Sequence, residues 1–267
     1  MRSQSTLVVQ LEIAGTACRV ACDEEAFVGR LAERYRDFGA TAEPVISLDV
    51  TLSAQPSYET VTTWSGPYAR VSGRGSALVI EGLGFTGAFD EATGRGAITQ
   101  PADPEPLETL LTGIYASRLL RSGGFMLHAA TIVGKAGALV FFGPSGSGKT
   151  TVSELVGDGV LTDEITAIRP QGRGYVVSSV PWRGQARTAP LAGLLRLRQA
   201  TRTAVTPLSA LAAVRELLPS VFFARADSAE FGRFLETAET LVRLVPAYDL
   251  AFTRDRSFWD VVPGAVQ

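Results

Sequence analysis

The segment from Gly143 to Thr150 carries the clearest chemical signal in the sequence. It reads Gly-Pro-Ser-Gly-Ser-Gly-Lys-Thr, follows the apolar run at 138–142 and precedes a segment able to start a helix. This is the strand, G-x-x-x-x-G-K-T, helix order of a phosphate-binding P-loop. Glycines allow successive backbone N–H groups to turn toward phosphate oxygens, and the helix start adds the positive end of its dipole. The motif therefore predicts binding of a nucleotide polyphosphate.

The residues of this motif have separate expected roles. Lys149 is expected to reach the β- and γ-phosphates of ATP or another nucleoside triphosphate, and the Thr150 hydroxyl to ligate Mg²⁺. The full set of predicted nucleotide-binding residues is Gly143, Ser145, Gly146, Ser147, Gly148, Lys149, Thr150 and Thr151.

Two acidic residues, Asp163 and Glu164, follow a short apolar strand predicted at 160–162. We expect that strand to lie beside the strand that enters the loop, because carboxylates at the carboxyl ends of such strands face the ligand crevice. Phosphoryl transfer needs a further magnesium contact and a group that takes the acceptor's proton. The pair could supply both, although the sequence leaves open which carboxylate does which. The structural alternative is a pair that only ends a surface strand.

His128 is the only histidine of the chain and lies on the strand before the loop-entering strand. Two interpretations stay open, a hydrogen-bonded core residue and an active-site residue near the phosphates. A metal site built on His128 alone is excluded, because the other ligands are missing.

Composition excludes several classes of protein. With 46% apolar residues, 19% charged residues and a net charge of −2, the chain can bury a core and does not suit a protein that neutralises nucleic-acid phosphates. Its apolar runs are strand-sized, and residues 1–5 lack the apolar core of a signal peptide. Cys18 and Cys22 fit neither a redox pair nor a zinc site. These features predict a cytoplasmic protein without nucleic-acid or membrane partners.

The hydrophobic pattern predicts two domains. Residues 1–100 show short strands, around a hairpin turn at Gly15, and one helix at 25–38, which indicates a small α+β module for recognition or structural cover. Residues 101–106 form a proline-punctuated connector, and residues 107–267 form the nucleotide-binding domain. In that domain we predict helices at 107–120, 149–156, 207–218 and 229–244, and strands at 125–133, 138–142, 160–162, 165–169, 175–180, 191–197 and 248–252.

The short distance from Lys149 to the carboxylate pair separates kinds of P-loop protein. Transport ATPases place their strand-borne carboxylates much later, after a signature loop that this sequence lacks. GTPases carry a base-reading Asn-Lys-x-Asp segment, which is also missing from this sequence. The remaining interpretation is a compact kinase.

Three segments resemble the HPr kinase/phosphorylase family and its shorter HPr-kinase-related members. They are Leu127-His128-Ala129-Ala130, the strand into the loop with the loop itself, and Leu161-Thr162-Asp163-Glu164. The resemblance implies an α/β fold with a mixed β-sheet, shared with phosphoenolpyruvate carboxykinase. It further implies that Asp163 is a magnesium-linked or base residue, Glu164 its partner and His128 a neighbour of the phosphates. The segment at 181–184 would bring Arg183 or Arg187 near the transferred phosphate or the acceptor.

The family resemblance implies an ATP- and Mg²⁺-dependent kinase that transfers the γ-phosphoryl group to a hydroxyl. The expected acceptor is a serine of a peptide or small protein, such as a precursor peptide in a biosynthetic cluster, and homo-oligomers are common among such proteins. Two other functions stay open. One is a small-metabolite kinase with the N-terminal module as lid or acceptor pocket, and the other is a nucleotide-binding regulatory or scaffold protein without transfer activity.

Overall fold

The computed structural model describes residues 6–54 and 69–262, and the chain is an α/β protein with mixed β-sheets. Residues 1–5, on which the signal-peptide prediction rests, lie outside the described residues. The chain divides into two compact units, Met1–Ser117 with Ala224–Ala226, and Arg118–Phe223 with Asp227–Gln267. The first division point lies downstream of the proline-punctuated stretch at 101–106.

In its described residues, 6–54 and 69–117, the first unit is built on one sheet of seven strands. Its strands are β1 (Leu7–Ile13), β2 (Thr16–Cys22), β3 (Ile46–Leu52), β4 (Ala69–Arg74), β5 (Ala77–Gly82), β6 (Phe85–Asp90) and β7 (Arg95–Gln100). They lie in the order β1-β2-β3-β7-β6-β5-β4, with β3 parallel to β2 and β7 and the other pairs antiparallel. Helix α1 (Glu25–Arg34) and helix α2 (Glu105–Arg121) follow β2 and β7. The predicted hairpin is confirmed, with Gly15 at a φ of 77° in its turn, whereas β7 was not predicted.

The described part of the second unit, which ends at residue 262, contains eight strands and four further α-helices. The strands are β8 (Phe125–Gly134), β9 (Gly137–Phe142), β10 (Val160–Thr162), β11 (Ile165–Gln171), β12 (Gly174–Ser178), β13 (Thr188–Gln199), β14 (Ala204–Pro207) and β15 (Ala247–Phe252). The helices are α3 (Lys149–Val156), α4 (Ala210–Leu217), α5 (Ser228–Leu244) and α6 (Phe258–Val261).

Two long strands, β8 and β13, change partners along their length. The first half of β8 pairs with β11 and its second half pairs antiparallel with β9. The first part of β13 pairs with β12, and its later part lies between β9 and β15, parallel to both. The strands β9, β13 and β15 therefore end at the same edge of the sheet, where ligands bind in open α/β sheets.

The strand β9 is buried on both faces. Ala138, Val140 and Phe142 pack into one hydrophobic cluster, and Leu139 and Phe141 pack into another. Because successive side chains of a strand point to opposite faces, this unbroken apolar run fills two cores. The strand that precedes the glycine-rich segment is thereby held rigidly.

Local patterns predicted most elements of this unit. The β8–β9 hairpin and the bounds of α3 and β10 are confirmed. The helix predicted at 207–218 begins too early, because Pro207 is the last residue of β14, which pairs with β15. The helix α4 starts only after Ser209, whose hydroxyl accepts a hydrogen bond from the Ala212 N–H at 3.3 Å.

Within residues 6–54 and 69–262, we find no helix that combines the length and apolar character needed to cross a membrane.

Candidate functional site

The segment between β9 and α3, residues 143–148, is a tight turn that we call the glycine loop. Three of its glycines have left-handed backbone angles, with φ of 152° at Gly143, 78° at Gly146 and 111° at Gly148. Gly148 is the N-cap of α3, and no side chain caps the helix. The N–H groups of the first turn of a helix have no partner inside the helix. The start of α3 therefore offers N–H donors and a positive dipole end to an anion.

The absence of a side chain at Gly148 is a packing requirement as well as a conformational one. A Cβ atom built there would lie 2.5 Å from Cζ of Phe252, the last residue of β15. Phe252 is fully buried and contacts Phe258 edge to face, so it has little room to move. The loop and the end of β15 thus fit together only with glycine at this position.

We predict that Gly148→Ala lowers the free energy of unfolding by about 2–4 kcal/mol, from backbone strain and the clash with Phe252. Gly157→Ala is the matched control, because Gly157 ends the same helix at a φ of 75° with open space around its Cα. That variant should lose only about 1 kcal/mol. Urea unfolding measures both, and equal losses would contradict the packing argument.

Lys149 is the first residue of α3 and lies almost fully buried at 7% exposure. Its Nζ donates hydrogen bonds to the carbonyl oxygens of Gly143 at 3.0 Å and Pro144 at 3.2 Å. Burial lowers the pKa of the Lys149 ammonium. A partly desolvated cation held against the glycine loop gains more from a neighbouring anion than an exposed lysine would.

Ser147 has a buried hydroxyl inside the glycine loop. Its Oγ makes no hydrogen bond to any part of the chain that the structure describes, and its N–H donates to the Pro144 carbonyl at 3.1 Å. A buried polar atom without a partner is costly, and such atoms are commonly satisfied by a bound molecule. The Ser147 hydroxyl is therefore available to form a hydrogen bond with a bound ligand.

A cavity of about 320 Å³ opens beside the glycine loop. Its lining residues are His128, Ser145, Gly146, Gly148, Lys149, Thr150, Thr151, Gln199 and Arg254. Six of the predicted nucleotide-binding residues and His128 are thus brought together. Gly143 and Ser147 belong to the loop but do not line the cavity.

Gln199 and Arg254 were missed by sequence reasoning. Gln199 is the last residue of β13 and Arg254 follows β15, and both strands run parallel to the strand that enters the loop. The rule that ligands bind at the carboxyl ends of parallel strands would have found them, had the strand order been known. The charge of the lining residues also carries information, because Lys149 and Arg254 are cations and none of the lining residues is acidic. Such a cavity favours a polyanionic ligand.

His128 lies where β8 changes partner, since it pairs with Ile165 of β11 while the next residue, Ala129, pairs with Phe142 of β9. Its side chain is exposed to the cavity, which supports the active-site interpretation over a core role. Partial burial lowers the pKa of His128, the Lys149 ammonium lowers it further, and the Glu164 carboxylate raises it. The lowered pKa favours the neutral form of the imidazole.

Because His128 is the only histidine, its titration can be followed by NMR as a single imidazole signal in protein without a histidine tag. We predict a pKa below the ordinary value of about 6.5. Lys149→Met should raise this pKa and Glu164→Gln should lower it, because these substitutions remove charges of opposite sign. If neither substitution changed the pKa of His128, the proximity of Lys149 and Glu164 to the imidazole would be contradicted.

The same shift has a consequence for stability. The folded-state pKa of His128 is below that of the unfolded chain, so the unfolded chain binds the proton more readily. The free energy of unfolding should therefore fall as pH drops below about 6.5, until the folded-state pKa is passed.

Asp163 and Glu164 lie in the turn between β10 and β11, and neither lines the cavity. The expectation that β10 lies directly beside β9 is wrong, because β8 occupies that edge of β9 and pairs with β10 on its other side. Both pairings are antiparallel, so β10 still runs in the same direction as β9. The Ala129 N–H donates to the Glu164 carbonyl at 3.0 Å, which fixes the acidic turn next to His128.

The two carboxylates have different surroundings. Asp163 is exposed, whereas Glu164 is half-buried and its Oε2 lies 3.1 Å from Nε of Arg183. Thr162 holds the turn, since its Oγ1 accepts from the Glu164 N–H at 3.2 Å and donates to the Arg183 carbonyl. Arg187 is exposed further along the same loop, and neither arginine lines the cavity.

The residues present are compatible with magnesium bound together with phosphates. In the described ranges 6–54 and 69–262, no three histidine, cysteine, aspartate or glutamate residues cluster as a metal cage. Mg²⁺ commonly takes only one or two protein oxygens and completes its shell with phosphates and water. The exposed Thr150 hydroxyl at the cavity could supply such an oxygen, whereas Asp163, the carboxylate ligand predicted from the sequence, does not line the cavity.

No model of a known protein family matches the chain. The search of curated proteins likewise found no significant match. Function is therefore inferred from the geometry of the site.

Proposed function

We propose that the chain is an ATP- and Mg²⁺-dependent P-loop kinase of the HPr-kinase-like class, with a phosphoenolpyruvate-carboxykinase-like core. It transfers the γ-phosphoryl group to a hydroxyl, a serine of a peptide or small protein, in the cytoplasm. The observation that carries the proposal is the cavity in which the glycine loop, the start of α3 and the buried Lys149 meet.

Each part of that cavity suits a nucleotide polyphosphate. The donors at the start of α3 and in the glycine loop bind phosphate oxygens. Lys149 exchanges its hydrogen bonds with the Gly143 and Pro144 carbonyls for contacts with the β- and γ-phosphates. Ser145, Gly146, Gly148 and Thr151 complete the wall around the phosphate chain.

Thr150 and Asp163 would hold the magnesium ion. When bound, Mg²⁺ neutralises charge that develops on the β- and γ-phosphate oxygens. Thr150 lines the cavity. Asp163 lies in the acidic turn that directly follows β10, the strand that pairs with β8.

The chemical step is a displacement at the γ-phosphorus. The acceptor oxygen forms a bond to phosphorus, the bond to the bridging oxygen breaks, and ADP leaves with that electron pair. The hydroxyl proton passes to the carboxylate of Asp163 or Glu164. The His128 imidazole interacts electrostatically with both Lys149 and Glu164, and at the cavity it can donate or accept a hydrogen bond.

The acceptor side is proposed to be the loop at 181–187 with the acidic turn. Arg183 is already held against Glu164, and Arg187 is exposed on the same loop. Guanidinium groups at this position can orient a phosphorylated product or an acidic acceptor. The assembly state proposed for the enzyme, a homo-oligomer, rests on the family resemblance alone.

The proposal is tested with purified protein, γ-³²P-labelled ATP, Mg²⁺ and a library of serine-containing peptides. We expect label on a subset of peptides, and loss of labelling when Mg²⁺ is chelated. The proposal fails if no label is transferred while wild type and Lys149→Ala bind ATP equally well.

A further inference from the structure

We propose that Arg254 is a second phosphate-contacting cation of the cavity and that Gln199 is the residue that positions it. This inference rests on the proposed function, because it names further contacts for the same polyphosphate.

The backbone brings both residues to the glycine loop. In the register of the parallel strands, Arg196 of β13 lies opposite Phe142, the last residue of β9. The strand β13 continues to Gln199 beside the loop, and there it lies opposite Phe252 of β15. Arg254 follows two residues later. Both side chains therefore reach the edge of the sheet at which the loop begins.

A hydrogen-bonded chain connects the two side chains to the loop. Gln199 Nε2 donates to the Gly146 carbonyl at 2.8 Å, and an Arg254 guanidinium N–H donates to Gln199 Oε1 at 3.2 Å. An amide side chain can donate with its nitrogen and accept with its oxygen at the same time. Gln199 thus fixes the tip of the loop and the direction of Arg254 together.

The backbone that carries Arg254 is itself held. The Ala200 N–H donates to the Phe252 carbonyl at 3.0 Å, and the Thr253 N–H donates to Thr203 Oγ1 at 3.2 Å. The neighbouring acid, Asp255, accepts hydrogen bonds from the N–H and the hydroxyl of Ser257. Its carboxylate is therefore used at the start of α6.

Arg254 has no carboxylate partner within the part of the chain that the structure describes. Among residues 6–54 and 69–262, its one hydrogen-bond partner is the neutral amide of Gln199, and it makes no salt bridge. An arginine that shares a cavity with Lys149, without any acid in the lining, leaves two uncompensated positive charges there. Its planar fork of donors matches the oxygens of a phosphate group. The ligand that fits both cations is the part of the phosphate chain that Lys149 contacts.

The test compares ATP, ADP and AMP binding to wild type and Arg254→Ala by titration calorimetry. We expect the Kd for ATP to rise about tenfold or more, because a charge-assisted hydrogen bond is lost, and the Kd for AMP to change less than twofold. Arg254→Lys should recover part of the ATP affinity through its charge. Arg256→Ala is the matched control, since Arg256 is exposed in the same turn but does not line the cavity, and it should bind as wild type.

The positioning role of Gln199 is tested with a measurement that a general loss of stability would not change. Gln199→Glu replaces the donor to Gly146 by a carboxylate, pairs with Arg254 and repels phosphates. We expect it to weaken ATP binding more than Gln199→Ala does, with an excess loss that shrinks at high salt and is absent for AMP. Equal losses for ATP and AMP would show a general effect on the fold and overturn the positioning role.

The outcomes separate this inference from the proposed function. If Lys149→Ala abolishes ATP binding but Arg254→Ala leaves the ATP Kd within twofold, Arg254 does not contact phosphate and only the inference fails. If Arg254→Ala weakens ATP and AMP binding equally, the phosphate contact is likewise wrong. If wild type binds no ATP, both proposals fail. Thermal melting confirms folding, and Arg254→Gln replaces Arg254→Ala if the latter does not fold.

Discussion

Lys149→Ala is expected to raise the Kd for ATP about tenfold to a hundredfold, since a charge-assisted contact to phosphate is lost. The rate of phosphoryl transfer should fall by a further factor of about 100 or more, because the ammonium is expected to stabilise charge that develops in the transition state. The side chain is nearly buried, and its Nζ is held beside the glycine loop by the carbonyls of Gly143 and Pro144, so it has only to exchange these hydrogen bonds when phosphate binds. Calorimetry measures binding, and label transfer measures the rate.

The control for this prediction is Lys135→Ala. Lys135 is exposed in the turn of the β8–β9 hairpin, which lies at the opposite end of β9 from the glycine loop. That substitution also removes one lysine charge, but at the other end of β9, and should leave ATP binding unchanged. Lys149→Met keeps the length of the side chain and separates loss of charge from loss of packing. Unaltered ATP binding in both Lys149 variants would refute the phosphate-binding role of the loop.

Asp163→Asn is expected to reduce the rate of phosphoryl transfer by about 10²–10⁴-fold, the usual contribution of a group that takes a proton. The Kd for ATP should rise less than in Lys149→Ala, since Asp163 lies outside the cavity lining and contacts ATP only through Mg²⁺ in the proposed arrangement. Glu164→Gln should reduce the rate less, because the Glu164 carboxylate already forms an ion pair with Arg183. That exposed pair contributes about 0–1 kcal/mol to stability, so both variants should stay folded.

The comparison also decides which carboxylate is the base, which the sequence left open. Asp158→Asn serves as control, because Asp158 is exposed in the turn between α3 and β10 and should transfer label like wild type. A larger loss for Glu164→Gln than for Asp163→Asn would reverse the assignment. Tight ATP binding without transfer, unchanged by either substitution, would instead favour the regulatory or scaffold function.

Several elements around the site could be predicted because their signals are local. The apolar runs on either side of Gly134-Lys135-Ala136-Gly137 predicted the β8–β9 hairpin to within one residue at its turn, and the Gly-Lys-Thr sequence predicted α3 with its observed bounds. The strand that ends just before Asp163 was also predicted, because the short segment Val160-Leu161-Thr162 lies between a glycine turn and an acidic pair. Each of these signals needs only residues near one another in the chain.

Other features depended on pairings between distant segments. The strand β10 was expected beside β9 but pairs with β8, because a strand of three residues carries no signal for its neighbour. The strand β7 and the strand character at Pro207 were missed for the same reason, as β7 pairs with β3 and β14 with β15. Pairing energies come from cross-strand neighbours, which a local pattern does not contain.

The sequence by itself determined the local chemistry of the glycine loop: the glycines that permit left-handed backbone angles, the buried lysine and the helix that starts with it. These are short-range properties of the chain. Only the tertiary structure decided that His128, Gln199 and Arg254 share one cavity with that loop. It also decided that Asp163 and Glu164 lie outside that cavity, in the turn after β10, the strand that pairs with β8. Gln199 and Arg254 reach the loop because β13 and β15 run parallel to β9 from far along the chain, whereas His128 comes from β8, the antiparallel neighbour of β9. Parallel strands bring their carboxyl ends together without any signal in the spacing of residues.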